Sequence, residues 1–148
     1  MRYYSIGVGC DRGTSLATLQ TALQKALHIV GTNTAHIQTI ATIDLKSDEV
    51  GLLALAQALG LPLLCYPAKE LAAVPVANPS MTVLKYVGTP SVSEAAALLG
   101  AGYRVEPNRE VEAEAEAVKD VPSLVLEKYK HHGVCGKNVT LSIAEIPS

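Results

Sequence analysis

The chain has 148 residues, a length typical of one domain, and 49% of them are hydrophobic, which is enough to build a buried core. Its formal net charge of −2 argues against nucleic acid as the main partner, and no apolar stretch approaches the roughly 20 residues that span a bilayer. Three widely spaced cysteines, Cys10, Cys65 and Cys135, are typical of free thiols, so we expect one cytoplasmic domain over residues 1–148.

The first elements alternate between strand and helix patterns. Residues 3–8 are short, apolar and partly β-branched, which predicts a buried strand that ends at a glycine-rich loop. An amphipathic helix follows, with Thr14 or Ser15 as its N-cap and Gly31 at its end. The apolar stripe of this helix consists of Leu16, Leu19, Leu23, Leu27 and Val30.

The same order continues in the next part of the chain. Residues 36–43 predict a second strand, and Ser47 is the expected N-cap of a second helix. Asp48 and Glu49 then fall in its first turn, where the helix dipole favours negative charge. Residues 61–66 predict a third strand. This alternation predicts a single three-layer α/β domain with a mainly parallel sheet and helices on both faces.

The second half of the chain is predicted to add helices and then two strands. We expect short helical segments over residues 67–73 and 80–87, and a capping box at residues 91–94 opens an alanine-rich helix. Residues 124–128 and 139–146 read as strands. The second of them alternates in polarity, which favours a position near a sheet edge.

The loop between the first strand and the first helix is the first candidate site. Its glycines let the backbone approach a ligand, and N–H groups at a helix start attract an anion; a tight turn with an ordinary cap explains the same spacing equally well. Arg12 occupies the third glycine position of a dinucleotide fingerprint, and Gly13-Thr14 does not fit a phosphate-binding P-loop, so both motifs are excluded. The candidate ligand-binding residues here are Gly9, Cys10, Arg12, Gly13, Thr14 and Ser15.

The second candidate segment runs from the end of the second strand into the second helix. Thr42, Asp44, Lys46 and Glu49 place a hydroxyl, two carboxylates and an ammonium at the edge of an open α/β sheet, where ligands usually bind. Lys46 and Glu49 are also the candidates for acid–base catalysis. The alternative is a solvated loop in which the carboxylates only serve the helix dipole.

Four ordered segments carry a family resemblance. They are Gly9-Cys10-Asp11-Arg12-Gly13-Thr14, then Ala41-Thr42-Ile43-Asp44 with Lys46, Glu49, Gly51 and Leu52, then Ser91-Val92-Ser93-Glu94-Ala95-Ala96-Ala97-Leu98, and last Lys128-Tyr129-Lys130 with Asn138-Val139-Thr140 and Ile143-Ala144. Together they resemble the C-terminal domain of the CbiG/CobE proteins of cobalamin biosynthesis. The resemblance extends from residue 6 to residue 144. A long acidic stretch at residues 106–120 and a lengthened turn at residues 131–137 depart from the family but leave these segments intact.

The resemblance implies a corrinoid or precorrin intermediate as ligand, which can itself carry cobalt, and no separate cofactor. Full-length CbiG proteins open the ring-A lactone of a cobalt-precorrin and release acetaldehyde, so any hydrolase activity is expected in a longer protein. The acetate and propionate carboxylates of a corrinoid suit a helix N-terminus beside Arg12. Other pathway enzymes are possible partners. Two alternatives stay open: a nucleotide- or phosphometabolite-binding domain, and a non-catalytic partner of a pathway methyltransferase.

Two further features carry simpler interpretations. His131, His132 and Cys135 are suitable metal ligands, but three ligands in one turn without a fourth favour a polar surface turn, so we predict no metal site. The glutamates of residues 106–122 are spaced by two and form no acidic helix face. We therefore predict a solvated excursion there rather than a docking surface.

Overall fold

The computed structural model describes residues 2–74, 92–103, 122–133 and 136–147. Its strands are β1 (Tyr4–Cys10), β2 (Ile37–Ile43), β3 (Leu63–Tyr66), β4 (Ser123–His132) and β5 (Asn138–Glu145). Its α-helices are α1 (Leu16–Val30), α2 (Val50–Leu59), α3 (Ala68–Ala73) and α4 (Val92–Gly100), and 3₁₀ turns occur at Thr34–His36 and Asp44–Lys46. Within these described residues, no helix combines the length and apolar character needed to span a bilayer.

The described strands form one sheet in the order β3-β2-β1-β5-β4. β1 pairs in parallel with β2, and β2 in parallel with β3. β5 runs antiparallel to both of its neighbours, β1 and β4. Four of the five described strands therefore point in one direction, with β5 reversed, and the predicted α/β fold class is confirmed.

Helices cover both faces of the sheet, as predicted. On one face α1 and α2 bury leucines such as Leu19, Leu23 and Leu52 against Ile6 and Val8 of β1. On the other face α3 and α4 form a second, smaller cluster with Ala41 and Ile43 of β2 and Ala144 of β5. The buried residues of α4 include the alanine run Ala95, Ala96 and Ala97, so this helix lies very close to the sheet.

β5 lies next to the edge strand β4 and pairs with β1 on its other side, so it is near a sheet edge, as predicted, but is not an edge strand. Its alternation has another physical cause. Val139, Leu141 and Ile143 face the α1 and α2 layer. Ser142 and Ala144, on the opposite side, are small enough to sit beneath α4, and both are fully buried. The alternation thus reflects two different buried layers rather than one buried and one solvated face.

Strand ends also differ from the predicted ones. β1 extends to Cys10, because Gly9 and Cys10 pair with Thr140 and Val139 of β5. These two residues thus belong to the sheet rather than to the glycine loop. β4 is longer than predicted and includes His131 and His132. Of the residues expected to lengthen a turn, His131 and His132 therefore extend a strand, while Gly133, Gly136 and Lys137 lie in the turn between β4 and β5.

The two helices beside the candidate loops begin differently. α1 begins as expected: the Ser15 hydroxyl accepts a hydrogen bond from the Thr18 N–H at 3.2 Å. The prediction that Ser47 caps the second helix is wrong, since a 3₁₀ turn intervenes and Glu49 holds the N-cap position of α2 without a side-chain cap bond. Asp48 and Glu49 are instead bonded to the glycine loop, which accounts for the later start of the helix.

Several sequence-based expectations fall outside the described residues. These are the helical segment at residues 80–87, the acidic stretch at residues 106–120, Cys135, and Ser91 at the start of the capping box. Glu94, the other end of that box, is described. Its Oε1 lies 3.4 Å from Nζ of Lys128 on β4, so the carboxylate pairs with the sheet.

Candidate functional site

The two predicted segments meet at the carboxyl ends of β1 and β2. Because β1 and β2 are parallel neighbours, the loop after Cys10 and the turn after Ile43 leave the sheet at the same edge. Arg12 donates hydrogen bonds to Oδ1 of Asp48 at 2.7 Å and to the carbonyl oxygen of Leu45. The expectation that the two segments lie together is confirmed.

Glu49 is the central acceptor of this junction. Its side chain is only 6% exposed, and Oε1 accepts a hydrogen bond from the Gly13 N–H at 3.0 Å. Oε2 lies 3.5 Å from Nη1 of Arg12. Both oxygens are thus occupied by the loop. Glu49, a candidate for acid–base catalysis, here holds the loop against the start of α2.

The hydroxyl groups of the site serve different purposes. Thr14 Oγ1 donates to the Asp11 carbonyl oxygen at 2.6 Å and closes the loop, while Ser15 caps α1. Thr42 is fully buried, and its hydroxyl donates to the Val8 carbonyl oxygen at 2.7 Å. The structure therefore does not place Thr42 on the exposed edge with Arg12.

Lys46 and Asp44 lie on the 3₁₀ turn beside the loop, Asp44 exposed and Lys46 half-buried. The ammonium of Lys46 is close enough to Cys10 to lower the pKa of that thiol, but burial has the larger effect and raises the pKa overall. A thiol reacts as a nucleophile through its thiolate. Burial therefore disfavours the thiolate of Cys10, and the side chain packs against the α1 and α2 core.

A third segment, which the sequence did not place here, also reaches the glycine loop. Asp11 accepts a hydrogen bond from the Asn138 N–H at 2.8 Å, and its own N–H donates to the Asn138 carbonyl oxygen at 3.0 Å. Nζ of Lys137 lies 3.9 Å from the point that a Cβ on Gly13 would occupy. The resemblance of Asn138-Val139-Thr140 to a family signature was the available signal. Only the sheet order brings that segment to β1.

The predicted surface turn with His131 and His132 is part of β4. Successive residues of a strand point to opposite faces. Accordingly His131 stacks on Tyr129, whereas Nδ1 of His132 lies 2.6 Å from Oδ1 of Asn138. The two imidazoles do not converge. Among the described residues no cluster of histidine, cysteine and carboxylate side chains has the arrangement of a metal site.

Between the loop and α2 lies a groove of about 240 Å³, open to solvent. It is lined by Gly13, Thr14 and Ser15 on one side and by Val50, Gly51 and Ala54 on the other. Pockets for drug-sized ligands usually measure roughly 300–1,000 Å³. The groove is thus suited to a side arm of a ligand rather than to a whole macrocycle. The exposed side chains of Leu45 and Val50 add apolar surface beside it.

The ion pair of Arg12 and Asp48 joins the two segments, and it changes the pKa of Asp48. The hydrogen bond and the positive charge of Arg12 hold the pKa of Asp48 below its ordinary value. The stabilising contribution of the pair is therefore complete above the ordinary carboxyl pKa and is lost as the pH falls through the lowered one.

We expect Arg12→Ala to raise the pKa of Asp48 towards the ordinary value of about 3.9, because the hydrogen bond and the charge are both removed. An NMR titration of the side-chain carboxyl carbon measures this change. Arg2→Ala is a matched control, since Arg2 pairs with Glu145 at 3.4 Å and does not contact Asp48. An unchanged pKa of Asp48 in Arg12→Ala would show that the two segments are not joined in this way in solution.

Comparison with known proteins gives a consistent set of relatives. Residues 4–144 match the family model described as the cobalamin synthesis G C-terminus. The chain is 36% identical over 143 residues to a cobalt-precorrin-5A hydrolase of Priestia megaterium, covering 97% of this chain and 32% of the relative. It is 35% identical over 99 residues to protein CobE of a Sinorhizobium species, covering 66% of this chain and 64% of the relative. The chain thus spans less than two thirds of either relative.

A solved structure is similar over nearly the whole chain. It is the crystal structure of CobE, described as a protein from the cobalamin (vitamin B12) biosynthetic pathway. The two share 28% sequence identity and superpose with a TM-score of 0.73, covering 97% of this chain and 90% of the other. The fold described above is therefore the fold of that protein.

Proposed function

Because the chain belongs to the family of the cobalamin synthesis G C-terminus, within the CbiG/CobE proteins of cobalamin biosynthesis, we propose that it binds a corrin intermediate of that pathway. The binding site is the edge at which the glycine loop meets the turn at Asp44–Lys46. The ligand is a corrinoid or precorrin acid, with or without its cobalt. The family context also supports the cytoplasm as its location.

The observation that carries this proposal is the junction of Arg12 and Gly13 with Asp48 and Glu49. Arg12 reaches across the loop, and its side chain remains 57% exposed. Lys46 lies near Cys10 at one end of the loop and Lys137 lies near Gly13, so with Arg12 three cationic groups lie around the glycine loop. A flat apolar ring with carboxylate arms matches this arrangement, because Leu45 and Val50 offer apolar surface next to the cations.

Hydrolysis is proposed only for longer proteins of the family. The relative named as a hydrolase is about three times as long as this chain. The match covers 97% of this chain but only 32% of that relative. Of the two catalytic candidates, Glu49 is held by Gly13 and Arg12. Lys46 is the remaining candidate for an acid–base role. We assign to the present domain the binding of the intermediate.

The test is a titration with cobyrinic acid, a corrinoid with free carboxylates, followed by visible absorbance. We expect Arg12→Ala to weaken binding about ten- to hundred-fold through the loss of a charge-assisted contact, and Arg12→Lys to recover only part of the loss. Cobinamide, which carries amides in place of these carboxylates, should bind more weakly than cobyrinic acid.

The variant Asp48→Asn shows whether Arg12 contacts the ligand directly or only holds the loop in its conformation. If Arg12 contacts the ligand, removal of the competing carboxylate leaves binding unchanged or tighter. If Arg12 only shapes the loop, Asp48→Asn weakens binding as Arg12→Ala does, and the proposed contact is wrong.

Binding of ATP without binding of cobyrinic acid would support the phosphometabolite alternative. No change in spectrum or melting temperature with either ligand would support a non-catalytic partner domain.

A further inference from the structure

Among the described residues, nothing requires glycine at position 9 of β1. An added Cβ on Gly9 would meet no described atom within 4 Å, so none of these residues packs closely at this position. Four other described glycines also have free space at the Cβ position, but all four have positive φ angles: Gly31, Gly60, Gly102 and Gly136. Gly9 is the only described glycine with neither constraint. A glycine within a strand often marks a place where a ligand approaches the backbone.

The free space over Gly9 lies on the α4 face of the sheet. Gly7, two residues earlier, faces α4, because its added Cβ would lie 1.9 Å from the Ser93 carbonyl oxygen. Residues two apart on a strand share a face, and β1 pairs with β5 without a bulge from Gly7 to Gly9. Gly9 therefore faces the same way, beyond the first residues of α4.

Two polar residues lie beside Gly9 in the same row of the sheet. Thr140 of β5 pairs with Gly9, and Lys130 of β4 pairs with Thr140, so all three share the α4 face. Since neighbouring strands are about 4.8 Å apart, Lys130 lies about 10 Å from Gly9, with the Thr140 hydroxyl between them. Lys130 is exposed and forms no ion pair with the described residues. Lys128, by contrast, is paired with Glu94.

We propose that a carboxylate-bearing edge of the ligand lies over Gly9 on the α4 face, with Thr140 and Lys130 as its hydrogen-bond and charge partners. This inference rests on the proposed function. The ligand then straddles the carboxyl edge of the sheet, with Arg12 and the glycine loop on one face and this row on the other. A corrinoid acid carries carboxylates around its whole ring and can reach both faces.

The test combines a substitution that fills the space over Gly9 with a substitution that removes the charge of Lys130. Gly9→Val should leave the melting temperature unchanged or raise it slightly, because valine is favoured in strands and nothing described occupies its space. It should weaken cobyrinic acid binding at least about tenfold by overlap with the ligand. Gly9→Ala, the smaller probe, should show a weaker effect of the same kind. Gln38→Val, which adds the same side chain at an exposed position of β2, should bind like wild type.

Lys130→Met should weaken cobyrinic acid binding about tenfold, and Lys130→Arg should restore most of it. Lys25→Met removes an exposed charge from α1 and should have no effect. Wild-type affinity in Gly9→Val and Lys130→Met, while Arg12→Ala still weakens binding, would overturn this inference alone. Absence of binding by the wild-type protein would overturn it together with the proposed function. A melting temperature lowered by Gly9→Ala would show that the chain itself fills the space, which also overturns it.

Discussion

Gly7→Ala is expected to destabilise the protein by about 3 kcal/mol or more. The added Cβ would lie 1.9 Å from the Ser93 carbonyl oxygen and 2.6 Å from the Ala97 nitrogen. Both atoms belong to the backbone of α4, so no side chain can move aside. The helix must shift away from β1 and lose its contact with the sheet.

Urea denaturation of wild type and Gly7→Ala measures this cost, and a melting temperature lower by about 10 °C is the corresponding thermal result. Gly9→Ala is the matched control. It places the same methyl group on the same face of the same strand, where no described atom lies within 4 Å. Similar stabilities of the two variants would show that α4 does not pack against β1 as described here.

The dependence on Gly7 explains why the fold could be predicted only in part. The alternating strand and helix patterns predicted the three layers, because each helix needs one apolar face and each central strand two. The alanine run Ala95–Ala97 indicated a helix, but not that its small side chains bring its backbone into contact with a strand. Ser142 and Ala144 of β5 lie beneath the same helix. The residue pattern of a single segment does not show which other segment it packs against.

The candidate site, like the fold, could be predicted only in part from the sequence. Parallel neighbouring strands end at one edge, so the meeting of the two loops could be predicted from the order of elements. It could not be predicted from the sequence which of the polar groups are bonded within the fold and which are left for a ligand. Thr42, Lys46 and Glu49 are all polar residues near the end of the second strand, yet Thr42 and Glu49 are buried and bonded within the chain. Lys137 and Lys130 reach the site through the sheet order, which depends on contacts more than 100 residues apart in sequence, such as that between Asp11 and Asn138.

The second large effect is expected at the buried ion pair of Glu94 and Lys128. Glu94 is fully buried in α4, and neither carboxylate oxygen has a hydrogen-bond partner among the described residues. Nζ of Lys128 lies 3.4 Å from Oε1 and supplies the positive charge, with its side chain only 19% exposed. Loss of one member of such a pair leaves an uncompensated charge in the interior, which is far more costly than loss of both.

Lys128→Met is therefore expected to cost about 3–5 kcal/mol of unfolding free energy, because methionine keeps the apolar stem and removes the charge. Glu94→Gln in the Lys128→Met background should recover most of this loss, since the amide has the shape of the carboxylate without its charge. Lys130→Met, two residues along the same strand but exposed, should change stability by no more than about 0.5 kcal/mol. Urea denaturation of the two single variants and the double variant forms the measurement. A cost below about 1 kcal/mol for Lys128→Met, or no recovery in the double variant, would show that the charge of Glu94 is compensated by other groups.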